Sequence, residues 1–224
     1  MEQFRMLLLD VWREAGRHTE IGQSTQTIAA MLVPHAPLEQ VLVRRIDWAR
    51  GCVETVAAGL ASRDFPLAES RTAFPPAKRD ELLDWCRKAE ITWVSQTAAA
   101  GGALETVIPP GVNGDVLAGP LGGPDGPSGV LILVAAAGRG FTEAHAALVR
   151  LLLEPFSVVL ENDQRLREMA ALREAAEADK RSLLSRLGRK ALADTVVGAD
   201  SGLRAVMDRV ELVESDLLAA IPPE

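Results

Sequence analysis

The chain has 224 residues, 48% of them hydrophobic, with a formal net charge of -7 and a pI near 5.1. That length and apolar content suit one or two domains with a sizeable core, and the acidic balance argues against the basic footprint of a nucleic-acid-binding domain. Cys52 and Cys86 are too few for a disulfide framework, the acid-bearing opening MEQFRMLLLDVWREAG lacks a signal peptide's basic start, and no apolar run reaches the roughly 18 residues of a membrane span. The expectation is a cytoplasmic chain that touches neither membrane nor nucleic acid directly.

Residues 3–33 read as helical. Phe4, Leu7, Leu8, Val11, Trp12 and Ala15 form one stripe, which Gly16 interrupts. A second helix is expected from Ser24, a good N-cap, to Leu32, stopped by Pro34 and Pro37. Two β-rich runs, 40–48 and 52–58, flank a short turn at 49–51 and predict a hairpin. Residues 59–76, with Pro66, Pro75 and Pro76, read as irregular.

The segment PAKRDELLDWCRKAE predicts a short helix with Leu82, Leu83, Trp85 and Cys86 near its buried side. ITWVS reads as a short strand. ALETVIPP and GDVLAGPL flank Gly111, Val112, Asn113 and Gly114, and Asn-Gly is hairpin-turn chemistry because it tolerates positive φ. The stretch GGPDGPSG reads as a loop. GVLILVAAAG is apolar on both faces, which predicts a central strand.

Residues 141–187 read as one long helix, capped at Thr142 with Glu143 in its first turn. Its first half is apolar, and Pro155 should kink it. Its second half is charged, with a thin stripe at Leu166, Met169, Ala176, Leu183 and Leu187 that Arg173 and Lys180 interrupt. Such a helix needs a partner, so a homodimer is expected. Residues 188–194 read as a linker.

This order gives an α+β domain in which an antiparallel sheet buries a face against the N- and C-terminal helices and a long signalling helix follows. The closing stretch GVLILVAAAGRGFTEAHAALVRLLLEPFSVVLENDQRLRE resembles the end of GAF domains, with Gly129, Phe141, Thr142, Glu143, Val159, Leu160, Glu161 and Asn162 matching. The resemblance covers about residues 5–170. Residues 194–213, DTVVGADSGLRAVMDRVELV, resemble the segment leading into the AAA+ domain of bacterial sigma-54 activators, carried by Val197-Gly198, Ser201, Leu203, Val206, Val210 and Val213. The G-x-x-x-x-G-K-[ST] phosphate loop that follows in that family is absent, so no means of holding ATP phosphates is visible. The two resemblances imply three parts: a GAF-like sensory domain over 1–165, a signalling or coiled-coil helix and linker over 166–193, and a partial AAA+ lead-in over 194–224. The chain is then expected to be the ligand-sensing regulatory module of a sigma-54-dependent activator, ending before the motor.

GAF domains hold small ligands between the sheet and the crossover segments, here 59–120. The Asn-Lys-Phe-Asp-Glu signature of cyclic-nucleotide members is absent. Neither Cys86, followed by Arg87, nor Cys52, followed by Val53, has the histidine that commonly follows a bilin-attaching cysteine. His18, His35 and His145 show no metal spacing. Resemblance to formate-responsive regulators implies a small anionic effector, for which an arginine is the fitting donor. Arg44 and Arg45 point to opposite faces of their strand, so only one can face a pocket.

The ligand-binding candidates are Arg45 and Arg71 for the charge, Trp93 for a wall, and Cys86, with Arg87 and Lys88 beside it. Each has a plainer reading: solvated arginines, a core tryptophan, a small buried thiol. The identity of the effector and any cofactor stay open. No catalytic arrangement stands out, so no enzyme activity is expected. The alternatives are a ligand-free dimerisation module and a thiol-based redox enzyme of the GAF fold.

Overall fold

A computed structural model of the chain describes residues 4–17, 20–60, 71–95, 101–123, 126–195 and 208–209. Helix α1 (Arg5–Ala15) buries Leu7, Val11 and Ala15, spaced four apart on one face. Gly16 ends it, its N–H reaching Trp12 O at 3.1 Å. Helix α2 (Ile21–Leu32) begins a turn earlier than expected. Ser24 is not its cap: it is 2% exposed, and its N–H already donates to Glu20 O at 3.1 Å.

Six strands form one antiparallel sheet: β1 (Leu38–Asp47), β2 (Cys52–Gly59), β3 (Arg71–Ala73), β4 (Thr92–Val94), β5 (Val116–Gly123) and β6 (Gly126–Ala135). Their order is β3-β2-β1-β6-β5-β4, so the run read as a central strand is indeed interior, between β1 and β5. The β1–β2 hairpin is also where its residues predicted it. Asp47 Oδ1 accepts the N–H groups of Ala49 and Arg50 at 3.1 and 2.9 Å, and Gly51 takes φ +62°.

Three local expectations fail. The region read as irregular contains β3, held to β2 by pairs such as Glu54 with Arg71. ALETV is helix α4 (Ala103–Val107) rather than a hairpin arm, with Leu104 and Val107 buried. GGPDGPSG is mostly strand, because β5 runs to Gly123 and β6 starts at Gly126.

The sheet is covered on both faces. Val41 and Val43 of β1 join Leu131 and Leu133 of β6 in a core with α1, α2 and the first part of α5 (Glu143–Thr195). Leu42 and Ile46 join Val130, Ile132 and Val134 in a second core with Leu82 and Cys86 of α3 (Pro76–Lys88) and Val107 of α4. Coverage on both sides is why β1 and β6 read as continuous apolar runs. Gly59 and Gly129 mark the closest approaches: a Cβ on Gly59 would lie 2.5 Å from Ala29 Cβ of α2, and one on Gly129 2.5 Å from Leu160 Cδ2 of α5.

Helix α5 opens with Thr142 O accepting from the N–H groups of His145 and Ala146, while His145 Nδ1 accepts from Thr142 N–H at 3.0 Å. The His145 side chain thus takes the part that a glutamate plays in a capping box. Leu148, Leu152, Phe156 and Leu160 are buried, and Pro155 is accommodated inside the helix. The chain divides into compact units of 1–167 and 168–224. In the second unit the helix continues through residues 188–194, which had been expected to form a linker. Its large apolar side chains are exposed there, Met169 by 67% and Leu183 by 57%. The lead-in resemblance at 194–213 lies almost wholly outside the described residues.

Candidate functional site

The face of the sheet toward α3 and α4 is where a ligand was expected. The arginine it holds is Arg44. Residues 42, 44 and 46 of β1 alternate onto this face, and Arg44 is completely buried there. Its Nη1 donates to Val107 O of α4 at 2.6 Å, and its Nη2 to Val53 O of β2 at 2.8 Å and Thr72 Oγ1 of β3 at 3.1 Å. One guanidinium therefore ties β1, β2, β3 and α4 together. A planar fork of donors can do this where a lysine could not. Burial pushes the Arg44 pKa down to about 10, so the group stays charged at neutral pH.

Arg45 lies on the other face, which corrects its expected place in the pocket. Its Nη2 donates to Asp163 Oδ2 of α5 at 2.5 Å, and its Nη1 is 3.7 Å from Glu54 Oε1. The parity of the two arginines was readable as an alternation. Which of them faced the crossover was not, because the neighbours on both faces are apolar.

The other candidates do not converge. Arg71 is on the short outer strand β3, exposed, with its Nε and Nη2 donating to Cys52 Sγ at 3.1 and 3.0 Å. Those hydrogen bonds hold its guanidinium above the ordinary arginine value. Trp93 is 44% exposed on the outer strand β4, and its Nε1 reaches Asp115 Oδ2 at 3.3 Å. It does not line the cleft at the outer margin of β5. Cys86 is buried, and desolvation pushes its thiol up to about 12. A thiol so fully protonated is a poor nucleophile. Residues 61–70 and 96–100, part of the expected ligand region, lie outside the described residues. Among the described residues no group of three His, Cys, Asp or Glu could hold a metal, and no helix is long and apolar enough to cross a membrane.

No protein-family model matches the chain, and neither does any curated protein. Solved structures do. The GAF domain of a phosphoenolpyruvate-protein phosphotransferase from Acinetobacter is 13% identical, with a TM-score of 0.55 over 74% of this chain and 96% of that one. The corresponding GAF domain from Coxiella burnetii is 12% identical, with a TM-score of 0.52 over 75% and 96%. A free methionine-R-sulfoxide reductase from Neisseria meningitidis, solved with its substrate, is 17% identical, with a TM-score of 0.51 over 73% and 91%. At these identities the likeness concerns the fold. The domain has the GAF fold: a six-stranded antiparallel sheet between helices, with a long C-terminal helix.

Proposed function

We propose that the chain is a ligand-sensing regulatory module of a sigma-54-dependent transcription activator. A small-molecule effector would bind between the sheet and the α3–α4 side, and α5 would carry the response. The observation that carries this reading is the double character of α5. Its first part is a core element, with Leu148, Leu152 and Phe156 at 0% exposure. The same helix then runs on to Thr195 with exposed leucines. A helix built this way converts repacking of the domain into displacement of whatever follows, provided the effector binds one arrangement better than the other.

The sigma-54 context rests on the resemblance at 194–213, and the homodimer on the apolar stripe from Leu166 to Leu187. The fold likeness to the GAF domains of two phosphoenolpyruvate-protein phosphotransferases supports a regulatory role, and the likeness to a methionine-R-sulfoxide reductase of the same fold keeps the enzymatic alternative in view. Placing residues 1–193 ahead of a sigma-54 activator motor tests the reading. Motor ATPase activity should come to depend on a metabolite that stabilises the domain. Activity indifferent to every stabilising metabolite contradicts it and favours a ligand-free dimerisation module.

A second reading, thiol chemistry on the GAF fold, is favoured by one observation: the Arg71 fork on Cys52 Sγ. Alkylation of folded protein followed by peptide mass spectrometry separates the two. Rapid, Arg71-dependent modification of Cys52 supports the thiol reading, and protection of both cysteines supports the sensor.

A further inference from the structure

A cleft of about 390 Å³ lies at the sheet margin where β5 outruns β4, between the C-terminal end of α3 and α5. Strand β4 pairs with β5 only from Val116 to Ala118, so the outer edge of Gly119–Gly123 meets no strand among the described residues. The cleft is bounded by Pro120 and Gly122 on that edge, Cys86 and Ala89 at the end of α3, and Leu153 and Glu154 of α5. Its volume is that of a small-molecule site, about 300–1,000 Å³.

From its chemistry, we infer that this cleft is a second effector site that selects a small cation with an apolar body, an alkylammonium. Three of the lining groups offer an anion no free donor. Pro120 has no N–H. Gly122 N–H donates to Ser157 Oγ at 3.1 Å, and the Ser157 hydroxyl donates to Leu153 O at 2.8 Å. The same pairing blunts the β5 edge against an added peptide strand. What remains favours positive charge. Glu154 is exposed at the rim and pairs with no cation among the described residues. The C-terminal turn of α3, closing at Ala89, carries the negative end of that helix's dipole. Of the basic residues in that turn, neither Arg87 nor Lys88 lines the cleft, and Arg87 is 3.6 Å from Asp84. Leu153 and the prolines supply the apolar walls.

The cleft sits on α5 beside Pro155, which leaves Leu151 O without its usual intrahelical donor. Occupancy would thus act on the output helix beside a carbonyl that lacks its usual helical donor. Its role as an effector site rests on the proposed sensory function, but binding in the cleft requires no ligand on the α3–α4 face.

The test uses n-hexylammonium, with hexanoate and 1-hexanol as probes of equal chain length, followed by amide chemical shifts in the whole chain. Hexylammonium should bind saturably and shift the Gly122, Gly123, Leu153 and Ser157 amides, while hexanoate leaves them unmoved. Glu154→Gln, at an exposed position, should keep the fold and weaken binding about threefold to tenfold, the range of a rim ion pair in a partly enclosed site. Three outcomes overturn the inference: equal binding of hexanoate or hexanol, shifts spread over the surface instead of the cleft, or unchanged affinity in Glu154→Gln.

Discussion

Arg45 of β1 and Asp163 of α5 are joined at 2.5 Å in a largely buried pair, and Arg167 adds a second contact to the same carboxylate oxygen at 2.9 Å. Among the described side chains of α5, Asp163 is the last buried one, and residues 164–185 are exposed. The pair therefore fastens the helix to the sheet at its point of exit. Asp163→Ala should cost about 2–4 kcal/mol in urea denaturation, because removing one partner strands a buried charge. The low end applies if Glu54, 3.7 Å away, takes over Arg45. Arg167→Ala, at a 55% exposed side chain, should cost at most about 1 kcal/mol. Equal costs would show that the carboxylate is not a fastening point.

Two glycines should respond in opposite directions. Gly22 lies inside α2 with nothing within 4 Å of a built Cβ, so Gly22→Ala should stabilise by about 0.5–1 kcal/mol. A Cβ on Gly129 would lie 2.5 Å from both Arg44 O and Leu160 Cδ2. Gly129→Ala should therefore destabilise by about 1–3 kcal/mol as β6 and α5 separate. Thermal melts of the two variants check both signs.

Leu131 faces the core shared with α5, and Val134 faces the core shared with α3 and α4. Aspartate at either position buries an unpaired charge at a cost of several kcal/mol, comparable to a domain's whole stability of about 5–15 kcal/mol. Loss of the cooperative transition is expected in both variants. Survival of one would mean that its face is open to water.

Cys86 yields a prediction about pH. Its folded pKa, about 12, lies above the ordinary 9.0, so the folded protein holds its proton more tightly than the unfolded chain. The contribution to stability is full below pH 9 and is lost as pH rises through 12. Cys86→Ala should lack that part of the alkaline decline in unfolding free energy, and in wild-type protein at pH 8 iodoacetamide should modify Cys86 far more slowly than in the unfolded chain.

How legible the molecule was in its sequence depended on how one-sided each element is. The β1–β2 hairpin, β6 and the start of α5 announced themselves through turn residues, a doubly apolar run and a cap. Helix α4 did not, because five residues span too little to show a helical period, and Leu104 and Val107 read equally well as strand. Strand β3 was hidden for the same reason: its identity comes from pairing with β2, a tertiary fact. The site suffered most at Arg44 and Arg45. Alternation separated them, but with Val41 and Val43 on one face and Leu42 and Ile46 on the other, local sequence held no clue to which face met α4. Arg71 and Trp93 ended at opposite margins of the sheet because the strands that carry them pair outermost.

The central claim is that effector binding is reported through α5. The most direct measurement is hydrogen exchange across residues 143–185 after a thermal-shift screen of small anions, amines and neutral metabolites. A ligand that binds the folded state raises the transition temperature by mass action. The account predicts that such a ligand also changes amide exchange in α5, most of all around Leu153–Asp163. Ligands that stabilise the domain while leaving exchange along α5 unaltered, or a screen in which no metabolite moves the transition, would contradict it.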